Sequence, residues 1–198
     1  MTHVQVLLFD GYDELDAVGP FEVLAAAGLR VELVAADRAA GSEVVSAHGL
    51  RALVDADLAE RPDLLVVPGG RWAQRGGAGV RAEVERGLLG PAIAGRHAAG
   101  ATVASVCTGA MLLAHAGLLD GRPAVTHRVA LEDLRERGAD VRGDERVVDD
   151  GDVLTAGGVT AGLDLALHLV ARFAGAEAAR QGAIRIEHEP RTALVAAA

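Results

Sequence analysis

The sequence predicts an α/β protein built as a three-layer sandwich, a largely parallel sheet with helices on both faces. Three observations carry that expectation. Short runs rich in Val, Leu and Ile alternate with Ala- and Leu-rich runs of helical length along the 198-residue chain. The strand-like runs are apolar at nearly every position, as in strands buried on both faces. Aliphatic side chains must build the core, because 51% of residues are apolar and only 3% aromatic. The length suits one domain, read as 1–190, with a tail at 191–198 expected to fray.

Taken in order, 4–9 reads as the first strand, and Pro20 suits the first turn of a helix running to about Ala27. Gly28 stops that helix before a second strand at 31–35. Stretches 43–46 and 50–54 flank His48-Gly49 as a hairpin. A buried strand at 64–67 ends abruptly on Pro68-Gly69-Gly70, and helices follow at 80–88 and 91–99. The next strand, 101–106, runs into Cys107 and a helix at 108–116. Residues 125–127 are short and extended, and 130–137 is helical. Asp150-Gly151 is a two-residue turn signal between strands at 146–149 and 153–156, since both positions tolerate positive φ. Gly157-Gly158 then leads into helices at 160–173 and 176–186.

Composition excludes several functions. A formal net charge of -9 with no basic block gives no footprint for nucleic acid. The longest apolar run, 163–170, is interrupted by Asp164 and His168 and falls short of a membrane span. The first residues read as a strand, not a signal peptide, and one cysteine fits a reducing compartment, so a cytoplasmic location is expected. Asp149, Asp150 and Asp152 belong to the hairpin and lack ligand spacing, so no metal site is expected. The glycines at 76, 77 and 79 lack phosphate-loop spacing.

The chemistry centres on Ser105-Val106-Cys107-Thr108-Gly109, where a buried strand turns sharply into a helix. This has the logic of a nucleophile elbow, although the flanking glycine pattern is incomplete. Helix amides there stabilise an anion, so the thiol is expected to titrate below its usual value of about 8.5. A lone cysteine can equally be a small buried hydrophobe. Pro68-Gly69-Gly70 ends another strand at the same sheet edge. It reads either as a tight turn or as half of an oxyanion hole built from the Gly70 and Thr108 amides. Asp16 follows the first strand, as a cap for the helix after Pro20 or as a catalytic carboxylate. His127 is the best site candidate among seven histidines, as ligand contact or structural hydrogen bond.

Together these segments resemble the ThiJ/PfpI superfamily. Leu15-Asp16 with Gly19-Pro20, Val67-Pro68-Gly69-Gly70, the cysteine motif, Ala116-Gly117-Leu118-Leu119 and Thr126-His127 match in order. The most specific stretch is Glu145-Arg146-Val147-Val148 followed by Leu154 through Gly157-Gly158-Val159-Thr160 to Asp164. The resemblance implies a flavodoxin-like fold related to class I glutamine amidotransferases, closest to isocyanide hydratases and to sensor domains of AraC-type regulators. Thr108 stands where PfpI peptidases carry His, and 187–190 is out of register with the amidotransferase His-x-Glu pair. Asp16 replaces the glutamate of many members, as it does in isocyanide hydratases, which run longer at the C-terminus.

The implied activity is hydration of an isocyanide to an N-substituted formamide through a thioimidate on Cys107, without a cofactor. Asp16 would move the proton, Gly70 and Thr108 would hold developing charge, and His127, Gly158 and Thr160 would edge the substrate. The rivals are a cysteine-based stress sensor and a small-ligand regulatory domain. AraC-type relatives carry a helix-turn-helix module after this fold and this sequence does not, so free-standing action is expected. The implied partners are a small-molecule substrate and a second copy of the chain. The interface is expected at Tyr12, Leu15, Val18, Pro20 and Phe21, a dense apolar group in an aromatic-poor chain.

Overall fold

A computed structural model describes residues 1–191. The tail expected to fray lies, from residue 192 onward, outside the described residues. Strands β1 (His3–Leu7), β2 (Arg30–Ala35), β3 (Glu43–Val45), β4 (Arg51–Leu53), β5 (Ala56–Asp57) and β6 (Leu64–Val67) make up the first half with helix α1 (Glu14–Ala26). Helices α2 (Val80–Arg86), α3 (Leu89–Ala98) and α4 (Gly109–His115) surround β7 (Thr102–Val106). The rest comprises β8 (Pro123–Ala124), α5 (Leu131–Glu136), β9 (Asp140–Val141), β10 (Val147–Asp149), β11 (Val153–Ala156), α6 (Ala161–Ala174) and α7 (Ala176–Arg185).

Seven strands form the main sheet in the order β10-β11-β7-β6-β1-β2-β5, and β3-β4 and β8-β9 pair separately. Every main-sheet pairing is parallel except β10 with β11, the hairpin expected at Asp150-Gly151. Helices α1, α6 and α7 pack together as one layer, and α2 to α5 form the other. Strands β6 and β11 are buried throughout, which explains why they are apolar except at Thr155, whose buried hydroxyl accepts from the Val125 amide at 2.9 Å. This is the three-layer, flavodoxin-like α/β fold. Its order changes direction between β1 and β6, so a crevice opens there beyond the strands' carboxyl ends. No described helix is long and apolar enough to cross a membrane.

The largest departure from the sequence reading concerns α1. It begins at Glu14, not near Pro20, because Asp13 is extended (φ -78°, ψ 129°) and its side chain accepts from the Leu15 amide as N-cap. Pro20 therefore lies inside the helix and leaves the Asp16 carbonyl without its intrahelical donor. Asp16 is thus neither a loop residue nor a cap. It sits in the first helical turn and is fully buried. The expected interface residue Tyr12 also turns inward, 1% exposed, and Pro20 is buried, whereas Leu15 and Val18 stay 39% and 45% exposed.

Two glycines set the geometry at the carboxyl edge. A methyl on Gly109 would lie 2.3 Å from the Val67 carbonyl oxygen, so only glycine lets α4 start against the end of β6. A methyl on Gly69 would lie 2.5 Å from the Thr108 nitrogen and 3.0 Å from Asp16 Oδ2. Gly109→Ala is expected to destabilise by roughly 1–3 kcal/mol, the cost of overpacking. A lowered urea midpoint at constant slope would record it, and an unshifted midpoint would show that the turn relaxes.

Candidate active site

Cys107 has φ +57°, a left-handed conformation rare outside glycine, on the turn from β7 into α4. Its amide donates to the carbonyls of Ala156 (3.0 Å) and Gly157 (2.9 Å), and its carbonyl accepts from Thr126 Oγ1 (2.8 Å). Those bonds tie the strained residue to β11 and to the 125–127 segment. The nucleophile elbow expected from the sequence is present.

Asp16 comes up beside the thiol from α1. Its Oδ2 accepts from the Gly69 amide at 3.0 Å, while Oδ1 is buried with no hydrogen-bond partner among the described residues. Burial, reinforced by the negative charge of Asp13, pushes the Asp16 carboxyl up to about 8, against the Gly69 amide and the Cys107 thiol, which favour its anion. Burial also raises the Cys107 thiol, and the Asp16 charge adds to this; the amides of Thr108 and Val159 oppose it. The lowered thiol expected from the helix terminus is therefore corrected. Only 7% of Cys107 is exposed, and loss of water outweighs two amides.

The remaining expected residues separate into two groups. Gly70, Thr108 and His127 line one cavity of about 390 Å³ with Cys107, Asp13, Trp72 and Val159. The Gly70 amide donates to Thr108 Oγ1 at 3.0 Å, so it is engaged within the protein, contrary to the expected oxyanion hole. The amides that favour the sulfur anion are those of Thr108 and Val159. Sequence reasoning missed Val159, since a backbone donor leaves no mark in residue type.

Gly158 and Thr160 line a neighbouring cleft of about 400 Å³ with Thr126, Arg128 and Arg146, outside the Cys107 cavity. Thr160 Oγ1 accepts from Arg146 (3.3 Å), whose guanidinium also bonds the fully buried Asp164. His188 Nε2 meets Asp164 from the other side at 2.7 Å.

His127 and Val159 line both spaces. His127 Nδ1 accepts from the Val129 amide (3.3 Å), which assigns the ring proton to Nε2. Burial and the adjacent Arg128 lower its pKa, so the ring is a neutral donor.

At the rim, Asp13, Glu14 and His48 hold ligand-type atoms within 4.8 Å of one another. Glu14 accepts there from Ser46, from the His48 amide and from the His48 ring, which clasps the tip of the β3-β4 hairpin onto α1. Asp13 and Glu14 are thus engaged in the fold, and Asp10 likewise pairs with Arg38.

The fold and this site define an α/β protein whose strained cysteine at a strand-helix turn is paired with a buried acid. Residues 2–172 match the DJ-1/PfpI family, and the chain belongs to that family. It is 36% identical over 187 residues to an isonitrile hydratase of Pseudomonas putida, covering 93% of this chain and 77% of that one. A ThiJ/PfpI family protein from Pseudomonas syringae superposes with a TM-score of 0.82 at 28% identity, over 97% of this chain and 77% of that one. Drosophila melanogaster DJ-1beta shares the fold, with a TM-score of 0.82 at 23% identity over 96% of this chain and the whole of that one.

Proposed function

We propose that the protein hydrates an isocyanide to an N-substituted formamide through a covalent thioimidate on Cys107. The observation that carries the reading is the buried pairing of an elbow cysteine with Asp16, a carboxyl that holds its proton up to about pH 8. The likeness to an isonitrile hydratase supports it.

The reactive form of the pair holds one proton between carboxyl and thiol. Sulfur bonds to the terminal carbon of the isocyanide, and the shared proton passes through Asp16 to that same carbon, giving the thioimidate. Asp16 is left as a carboxylate and takes a proton from an attacking water, whose oxygen adds to the carbon. The hydroxyl proton moves to nitrogen, the carbon-sulfur bond breaks, and formamide leaves with the pair restored. Amides of Thr108 and Val159 steady the sulfur whenever it carries charge, and the neutral His127 ring on the wall of the same cavity offers a donor as charge develops on nitrogen. Every proton moved comes from this chain, the substrate or water.

A panel of alkyl and aryl isocyanides followed by NMR tests the reading. It is supported by formamide appearing in step with isocyanide loss, and sunk if no member of the panel is consumed faster than in buffer.

The protein is further proposed to act as a homodimer paired through α1. Leu15, Val18, Leu163 and Ile186 line an apolar groove of about 390 Å³ on that helix's outer side, opposite the buried Asp16. Sedimentation equilibrium should give twice the chain mass, and Val18→Asp should return the monomer. A monomer in the parent protein at micromolar concentration would remove the proposal.

A further inference from the structure

We infer that Trp72 is the wall that limits the size of the substrate's N-substituent, which makes the preferred substrates compact ones, short alkyl or single-ring isocyanides. The part naming isocyanides rests on the proposed function; the wall itself rests on geometry alone. Trp72, the chain's only tryptophan, is 6% exposed and lines the Cys107 cavity. It lines a second space as well, of about 410 Å³, together with Met111, His115, Asp133 and Arg137. Trp72 therefore stands between two spaces, and shortening its side chain is expected to widen the room beside Cys107.

The wall is held rigidly. The indole N–H donates to Asp133 Oδ2 at 2.5 Å, and the Arg81 guanidinium carbon stands 4.3 Å from the ring centroid. Arg81 Nε also donates to the Trp72 carbonyl at 2.7 Å, and its guanidinium reaches Asp133 at 3.8 Å. One arginine and one aspartate thus fix both the backbone and the ring. A ring so clamped cannot swing aside cheaply for a longer substituent, so size is read sterically.

The test compares alkylation of Cys107 by iodoacetamide and by a naphthyl iodoacetamide at pH 9, where the pair has lost a proton. Trp72→Ala should raise the bulky-to-small rate ratio at least tenfold, with Trp72→Leu moving it the same way if the alanine variant folds poorly. Trp72→Phe, which keeps an aromatic wall, should hold the ratio within about threefold of the parent. An unchanged ratio in a folded Trp72→Ala or Trp72→Leu protein overturns the inference. The same variants are then given methyl and naphthyl isocyanides, where the ratio of kcat/KM values should shift in parallel. If neither isocyanide is turned over while the alkylation ratio still moves, the hydratase reading fails and the wall stands.

Discussion

Cys107→Ala is expected to bring isocyanide turnover down by roughly 10⁴-fold or more while leaving a folded protein. Sulfur is the only atom at the site that can form the covalent bond the proposal requires. Its loss removes the reaction path and not merely a favourable contact. The fold survives because the elbow is held by backbone bonds from Cys107 to Ala156, Gly157 and Thr126, none of which involves the thiol. Alanine tolerates the same left-handed backbone as poorly as cysteine, so that strain is common to both proteins. Single-turnover kinetics with matched circular dichroism would check both halves of the expectation, and retained turnover would move the nucleophile elsewhere.

Asp16→Asn is expected to lower kcat/KM by roughly 10²–10⁴-fold and, unusually, to make the protein more stable at alkaline pH. The folded carboxyl keeps its proton to about pH 8, whereas in the unfolded chain it loses it near pH 4, at about 3.9. Between those values the native state binds the extra proton, so the parent's stability is full below pH 4 and falls as pH rises towards 8, by roughly 1.4 kcal/mol per pH unit. Asparagine removes that slope. Going from pH 5 to pH 8, the variant should gain on the order of 3–4 kcal/mol relative to the parent, measured by urea unfolding at both values. Parallel slopes in the two proteins would show that Asp16 is ionised in the fold. Activity should carry the same signature, because the singly protonated pair forms as the first proton leaves. In the parent, kcat/KM should climb about tenfold per unit below pH 8 and level off above it, whereas the residual rate of Asp16→Asn should follow the raised thiol alone and still be climbing above pH 8.

Much of this was legible in the sequence, for identifiable reasons. The buried strands announced themselves because both faces must be apolar. Asp150-Gly151 specified its hairpin through backbone freedom, and the cysteine motif placed the elbow. The start of α1 was misread because Pro20 looked like a first-turn proline. The better signal was Asp13 followed by Glu14 and Asp16, a capping side chain ahead of an acidic first turn. The two-residue strands β5, β8 and β9 are held by their neighbours and leave no periodic pattern. Tyr12 was read as interface because it belongs to a dense apolar group in an aromatic-poor chain, yet the chain turns it into the core. The sign of the thiol shift depends on how much water the whole fold removes, which no local motif encodes. The Val159 amide and the engagement of the Gly70 amide are backbone facts, indifferent to residue type. Trp72 did leave a trace, as the single tryptophan two residues after a strand-ending glycine pair.

The most direct measurement of the central claim is the intact mass of the parent protein mixed with an aryl isocyanide and quenched in acid within the first turnover. Asp16 serves both formation and hydrolysis of the thioimidate, so the parent, with the carboxyl in place, is the protein in which the intermediate must form on the way to product. The account predicts an added mass equal to that of the isocyanide, carried on the peptide containing Cys107 and absent from Cys107→Ala. An unmodified Cys107 peptide under conditions where the parent protein produces formamide would contradict it.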